Sequence, residues 1–318
     1  MLSRVADNLY WMSRYLERAE HTARLMDVNF TQSLDQTPEA RDRRWERVLA
    51  SLNATVRGAD LYGIVEGLAF EPGNTSSIAA CIAQARENAR QVREQISTEM
   101  YEQINRLYFQ VRNTNRSAFW DDEPHSFFKL VREGAHLFQG ITDSTMSYDE
   151  RWHFIQVGRF LERANNTSAL LSTQFTVLRE NEVAQPVMEY HYLDFVGLLK
   201  SCTAFEAYCK AYTADIQPER VAEFLLLNPD FPRSVCFAAE VIQNSLSAIG
   251  RSTGQRHAGR AQRLAGRLRA ALDYGQVDEI MADDLHSYLA SIQRQCGQIH
   301  DSVYQTYITY PADIALAS

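Results

Sequence analysis

The sequence predicts an all-α fold, an internally duplicated helical bundle of about ten helices with approximate two-fold pseudo-symmetry. Apolar residues recur at helical spacing along most of the 318 residues, and no segment shows the alternation of a half-buried strand. One charged heptapeptide also occurs twice, as RYLERAE at residues 14–20 and as RFLERAN at residues 159–165. An apolar share of 45% and a charged share of 23% are typical of a globular protein.

The first helix is predicted from an apolar stripe whose members are three and four residues apart. The stripe consists of Val5, Leu9, Met12, Leu16, Ala19, Ala23 and Met26. Ser3 is placed to cap the start of this helix. Further helices are predicted over residues 39–57, 75–96, 98–116, 124–143, 147–179, 189–214, 218–227, 232–250, 258–273 and 276–308. Breaks are expected at turn-forming clusters: Gly73-Asn74, Asp122–Pro124, Gln185-Pro186, Gln217-Pro218 and NPDFP at 228–232.

The repeat is wider than the heptapeptide. Residues 14–31 and 159–176 align without a gap at a constant offset of 145, and 9 of these 18 positions are identical. The apolar stripe keeps its register in the second copy. We therefore predict one domain over residues 1–318, with related helical halves at about 1–145 and 146–318. Two copies are too few for a solenoid.

The repeated charges fall off the apolar stripe, and three of them are identical in the two copies. They are Arg14, Glu17 and Arg18, with the second copies Arg159, Glu162 and Arg163. Three interpretations are open. The charges form an exposed belt of ion pairs, each worth about 0.2–0.5 kcal/mol. They are buried between the halves and fix their register. Or the arginines bind a carboxylate or phosphate through paired hydrogen bonds while the glutamates orient them.

Several long segments carry a family resemblance. VADNLYWMSRYLERAEHTARLMDV, ARENARQVREQISTEMYEQIN, HLFQGITDSTMSYDERWHFIQVGRFLERANNT and LNPDFPRSV together resemble the bacterial alpha-E domain family, over about residues 1–310. The resemblance implies a helical accessory or substrate-binding component that works with a circularly permuted ATP-grasp amidoligase. A transglutaminase-like peptidase and a proteasome-related hydrolase are implied further partners, in a system that synthesises or modifies a peptide.

The same resemblance implies that catalysis takes place in the ATP-grasp partner, and no cofactor is expected in this chain. The motif positions that carry over are the six repeated charged residues, which we predict to bind an anionic ligand. Tyr10 departs from the repeat, because Ile155 stands at its position in the second copy.

A metal-dependent enzyme of the di-iron type is the alternative function. Glu133 and His136 have Glu-x-x-His spacing, and Asp283 and His286 have the related Asp-x-x-His spacing. A complete site needs further carboxylates from other helices, and Glu17 and Glu162 are the candidates. The plainer interpretation makes His136 a structural or surface histidine.

Residues 251–269 form the one strongly basic segment. It contains six arginines and no acidic residue. It is either a solvated helix face or a surface that docks the ATP-grasp partner, with the docking residues Arg256, Arg260, Arg263 and Arg267. A pure docking scaffold is therefore a further candidate function. Nucleic acid is an unlikely partner, because the net charge is −8 and no aromatic residues interleave with the arginines.

The turn NPDFPRSV is predicted to start a helix. Ser234 or Asp230 would cap that helix, and Arg233 beside them would be held rigidly as a clamp or a ligand contact.

Five scattered cysteines without a CxxC pattern favour neither disulfides nor a zinc site. No apolar run approaches the ~18 residues of a membrane span. Asp7 interrupts the N-terminal apolar residues, so no signal peptide is predicted and a cytoplasmic location is expected.

Overall fold

A computed structural model describes residues 1–33, 36–56, 58, 60–121, 124–184, 188–213, 215–253 and 259–309, and every regular element within these ranges is a helix. The first seven helices are α1 (Ser3–Ser33), α2 (Pro38–Leu52), α3 (Leu61–Ala69), α4 (Ile78–Gln91), α5 (Thr98–Arg112), α6 (Arg116–Asp121) and α7 (His125–Thr145). The others are α8 (Glu150–Ala184), α9 (Met188–Ser201), α10 (Phe205–Tyr212), α11 (Pro218–Leu227), α12 (Val235–Ser252), α13 (Arg260–Asp273), α14 (Val277–Asp283) and α15 (Leu285–Val303). The all-α prediction is confirmed.

Two long helices, α1 and α8, form the centre of the molecule and run side by side in the same direction. Their contacts join residues separated by a nearly constant 144 to 149 positions along the chain. The helices approach closely at Gly158. A Cβ atom there would lie 2.3 Å from the Tyr10 carbonyl oxygen and 2.3 Å from the Ser13 Oγ. Only glycine therefore fits this crossing.

Other helices cover the central pair. α4 and α7 pack on α1, while α12 and α15 pack on α8. α5 then lies against α4 and α7, and α13 lies against α12 and α15. The predicted apolar stripe of α1 is buried in the core, as expected. Because neighbours surround α1 on several sides, its polar side is buried as well, and Glu17 and Glu20 are only 1% and 0% exposed.

Serine side chains cap the N-termini of several of these helices. Ser234 accepts a hydrogen bond from the Phe237 N–H of α12 (3.0 Å), so the predicted cap is confirmed. Ser77 caps α4 in the same way through the Ala80 N–H (3.2 Å). Ser3 is the first helical residue of α1 rather than the residue before it.

Several helix predictions differ from the structure. The segment 189–214 is two helices, because Thr203 has a left-handed backbone with φ of 50°. The segment 276–308 is also divided, since Asp284 ends α14 and caps α15 through the His286 N–H (3.0 Å). A π-helical turn, Tyr304–Ile308, follows α15. The six-residue helix α6 was not predicted. Helix α3 was not predicted because its two glycines hide the helical pattern. One of them, Gly67, packs so closely on Val56 that a Cβ would lie 2.7 Å from it.

All five cysteines are unpaired, and four of them are buried. Among the described helices none combines the length and the apolar character that a membrane span requires.

Candidate functional site

The two repeated charge sets meet across the contact between α1 and α8 and pair reciprocally. Arg14 and Arg18 of α1 donate to the Glu162 carboxylate of α8, at 2.8 Å and 2.7 Å. Arg163 of α8 donates two hydrogen bonds to the Glu17 carboxylate of α1, at 2.7 Å and 2.9 Å. Each glutamate is therefore neutralised by the arginines of the other helix.

These contacts exclude the exposed ion-pair belt. The Glu17 and Glu162 side chains are 1% and 4% exposed, and their partners lie on the opposite helix rather than one turn away. The two glutamates lie on a buried polar face between α1 and α8, which agrees with the burial that the second interpretation describes. The binding role of the six residues stays a prediction.

Further charged residues join Glu17 on the side that faces α7. Arg233 donates to Glu20 (2.8 Å) and lies 3.5 Å from Glu17, and Arg24 also donates to Glu20. His136 of α7 lies with its Nε2 3.3 Å from the Glu20 carboxylate. The repeat does not single out Glu20 and Arg24, because Asn165 and Ala169 replace them in the second copy.

Two clusters can now be defined. The α7-side cluster consists of Glu17, Glu20, Arg24, His136, Gln139, Arg159, Arg163 and Arg233. Gln139 links it across the helices, since its amide donates to Glu17 (3.3 Å) and accepts from Arg159 (2.8 Å). The α15-side cluster consists of Tyr10, Arg14, Arg18, Glu162 and His300. His300 of α15 hydrogen-bonds the Tyr10 hydroxyl at 2.8 Å.

The electrostatics of the two clusters differ. Burial would raise the pKa of Glu162, but Arg14 and Arg18 outweigh it and lower that pKa to about 2. Burial would lower the pKa of Arg14, yet Glu162 holds it above its usual range. On the α7 side, burial and then Arg233 lower the pKa of Arg24 to about 9. Burial and then Arg163 lower the pKa of Arg159 to about 10. In the α7-side cluster the carboxylates therefore do not fully offset the positive charge of the arginines.

Some buried donors of the α7 side lack hydrogen-bond partners within the described ranges. They are the Nε atoms of Arg24 and Arg159. Arg159 Nε has only a 3.9 Å ion contact with Glu17. A buried donor without a partner costs about 1–3 kcal/mol, so these nitrogens are suited to donate hydrogen bonds to an anionic ligand.

His21 is a buried titratable group next to the α7-side cluster. Burial and then Arg233 lower its pKa to about 4 from 6.5. Because the unfolded chain takes up this proton at higher pH than the folded chain, stability is fully present above pH 6.5 and falls as the pH drops towards 4.

The substitution His21→Asn should remove this pH dependence. Asparagine is the residue at the corresponding second-copy position, Asn166. In urea titrations the original chain should lose on the order of 2–3 kcal/mol more unfolding free energy between pH 7 and pH 4.5 than the variant. The carboxylates titrate in both proteins and cancel in the comparison. Equal losses would contradict the assignment to His21.

The metal site of the alternative function is not formed among the described residues. Glu133 is exposed beside Lys129 (3.8 Å), whereas His136 contacts Glu20. His286 lies 3.3 Å from Ser172, and Asp283 is exposed. Within the described ranges no three His, Cys, Asp or Glu side chains are arranged to hold a metal ion. Glu133 and His136 share helix α7, whereas Asp283 ends α14 and His286 lies in α15, so these residues reach different neighbours.

The predicted docking residues lie on the solvent side of α13. Arg260, Arg263 and Arg267 are exposed at helical spacing, while the opposite side of α13 packs into the core. Arg256 lies outside the described residues. Arg269 turns towards Glu240 (3.2 Å) and so belongs to the packing of α12 and α13. The docking role stays a prediction.

Comparisons with known proteins place the chain among its relatives. Residues 1–308 match the Alpha-E family, described as a predicted alpha-helical domain with a conserved ER motif. An uncharacterised protein of Mycobacterium bovis and one of Mycobacterium tuberculosis strain CDC 1551 are each 22% identical over 91% of this chain. The chain spans about a third of the length of these relatives, 34% in each case. No solved structure matches it significantly. In this chain Glu-Arg pairs occur at 17–18 and 162–163, in the middle of the α1–α8 contact. The chain belongs to the Alpha-E family.

Proposed function

We propose that this chain is a cytoplasmic helical accessory or substrate-binding component of an ATP-grasp-dependent system that synthesises or modifies a peptide. Its main partner would be a circularly permuted ATP-grasp protein, which carries out the ATP chemistry. A transglutaminase-like peptidase and a proteasome-related hydrolase of the same pathway are further proposed partners. This setting is the one that the resemblance to the alpha-E domain family implies.

One observation supports an anionic ligand. Among the described residues, the two clusters contain twice as many arginines as carboxylates. The arginines are Arg14, Arg18, Arg24, Arg159, Arg163 and Arg233, and the carboxylates are Glu17, Glu20 and Glu162. Buried charge without a counter-ion is costly, and guanidinium groups bind carboxylates and phosphates with paired hydrogen bonds. A peptide carboxylate or an acyl phosphate fits this chemistry.

We also infer that the two halves are duplicated units related by an approximate two-fold axis along the α1–α8 contact. The reciprocal arginine–glutamate pairs support this relation. A second contact recurs in the other half: Asp27 of α1 contacts His125 of α7 at 2.6 Å, and Ser172 of α8, at the offset of 145, contacts His286 of α15 at 3.3 Å. The α7-side and α15-side clusters would then be counterparts.

Arg159→Gln separates binding from stability. Arg159 is surplus charge rather than half of a tight pair, so its loss should leave the melting temperature within about 3 °C. The ATP turnover of the chain reconstituted with its ATP-grasp partner should fall at least about tenfold, which corresponds to about 1.4 kcal/mol of lost ligand interaction. Recovery of the partner in a pull-down should stay unchanged, because docking is proposed to involve α13.

The matched variant Arg14→Gln breaks the close pair with Glu162 and should lower the melting temperature. Full ATP turnover with Arg159→Gln would contradict the proposed function. A large loss of stability in Arg159→Gln would instead show that Arg159 has a structural role.

A second candidate, a pure docking scaffold, is favoured by the exposed arginines of α13.

A further inference from the structure

We propose that the α7-side cluster alone is the ligand site of this chain, and that it binds a phosphoryl dianion. The α15-side cluster would be its structural counterpart, filled by protein groups. This inference rests on the proposed function and narrows it to one cluster and one class of ligand.

The count of charges differs between the clusters. The α7-side cluster holds four arginines and two glutamates: Arg24, Arg159, Arg163, Arg233, Glu17 and Glu20. The α15-side cluster holds two arginines and one glutamate: Arg14, Arg18 and Glu162. The excess positive charge is therefore two on the α7 side (4 − 2) and one on the α15 side (2 − 1). A phosphoryl dianion neutralises an excess of two, whereas a carboxylate neutralises one.

The hydrogen-bond donors show the same difference. Arg14 donates to Glu162 and to the Tyr10 hydroxyl (3.1 Å), and Arg18 donates twice to Glu162. The α15-side arginines thus have their protein partners. On the α7 side the Nε atoms of Arg24 and Arg159 have none among the described residues, although Arg24 is only 2% exposed. Three acceptor oxygens of a phosphoryl group suit such donors.

Solvent reaches the α7-side cluster along one face of α7. The His136 side chain is 48% exposed, and its Nε2 lies 3.2 Å from a terminal nitrogen of Arg24. Arg132, one turn earlier on α7, and Arg159 of α8 are partly exposed. The α7-side cluster is therefore exposed to solvent beside His136, and the proposed ligand would approach it from that side.

The second copy lacks residues that distinguish the α7-side cluster, although Glu20 and Arg24 offset each other and the additional positive charge comes from Arg233. Glu20 and Arg24 correspond to Asn165 and Ala169 at the offset of 145. At the offset of 161 that relates His125 to His286, His136 corresponds to Gly297, where a Cβ atom would meet open space. The reciprocal arginine–glutamate pairs, which both copies have, hold α1 and α8 together. The additional charges exist on one side only, which favours a ligand over packing.

Titration of the full chain at pH 7.5 with three probes tests the inference. Inorganic phosphate and acetyl phosphate represent a free and a carbon-linked phosphoryl group, and acetate represents a simple carboxylate. Isothermal calorimetry should give one saturable site for at least one phosphoryl probe, with acetate at least about tenfold weaker. The stronger of the two phosphoryl probes identifies the source of the group.

Variants assign the site. Arg159→Gln and His136→Gln should each weaken phosphoryl binding about tenfold or more, while the fold measured by circular dichroism is kept. His136 is half-exposed, so this variant keeps the test valid if a buried arginine proves necessary for folding. His125→Gln is the matched control, because His125 lies on the same helix and is 59% exposed. It should leave binding unchanged.

Each remaining outcome contradicts either this inference alone or the proposed anionic ligand as well. If acetate binds as tightly as phosphate, or if Arg18→Gln weakens binding as much as Arg159→Gln, the inference is wrong and the proposed function stands. If none of the three probes binds the intact chain, the inference is wrong and so is the anionic ligand of the proposed function.

Discussion

The substitution Glu17→Gln is expected to lower the free energy of unfolding by about 3–5 kcal/mol, the usual cost of breaking a buried ion pair by removing one partner. Glu17 accepts two hydrogen bonds from Arg163, whose side chain is 4% exposed, and it lies near Arg233 and Arg159. Without its negative charge these buried guanidinium groups lose a shared counter-ion. Urea unfolding at pH 7, followed by circular dichroism, measures the change.

Glu133→Gln is the matched control, since Glu133 forms an exposed i,i+4 contact with Lys129 on α7. Its effect should stay below about 0.5 kcal/mol. If the two variants lose similar stability, the Glu17 carboxylate does not hold the two helices together in the way its contacts indicate.

The second large effect is expected from Gly158→Ala. The added methyl group would lie 2.3 Å from the Tyr10 carbonyl oxygen, a backbone atom that cannot move alone, so α1 and α8 must separate. We expect a loss of about 1–3 kcal/mol, and more if the reciprocal pairs beside the crossing lengthen. Thermal and urea unfolding both report this loss.

Gly140→Ala provides the control for Gly158→Ala. Gly140 is a helical glycine of α7 whose Cβ atom would meet nothing within 4 Å. Alanine there should stabilise the chain by up to about 1 kcal/mol, because glycine loses more backbone freedom on folding. A neutral or stabilising effect of Gly158→Ala would show that the two central helices do not approach as closely as described.

Local sequence signals predicted most of the helices, but not α3 and α6. The spacing of Leu9, Met12 and Leu16 identified the buried side of α1, and the serine after NPDFPR identified the start of α12. The break at Thr203 could not be predicted, because neither glycine nor proline marks it and the left-handed backbone is held by its surroundings. A helix break that is fixed by tertiary contacts rather than by local residue preferences cannot easily be predicted from a single sequence.

The candidate site was predicted in part. The repeat identified Glu17 and Glu162, yet a helical wheel places them off the apolar stripe and cannot show that another helix covers them. Each glutamate pairs with arginines of the other helix because α1 and α8 run in parallel. The spacing of residues along the sequence does not reveal that direction. The repeat does not identify Arg24, because Ala169 stands at its position in the second copy, although a difference between repeats is the signal expected of a function confined to one half. Arg233 was singled out only as a rigid clamp or contact.

The reciprocal pairing of α1 and α8 has a consequence for the order of folding. Glu162 follows Arg18 by 144 residues, so during synthesis the first half is complete before the carboxylate that neutralises its central arginines exists. Contacts between residues so distant in the chain form only after a large loss of chain entropy. We expect the outer helices of the first half to associate early and α1 to reach its final place only when α8 arrives. Until then a nascent chain exposes a charged, unsatisfied helix face, which makes it dependent on the rest of its own sequence to finish folding.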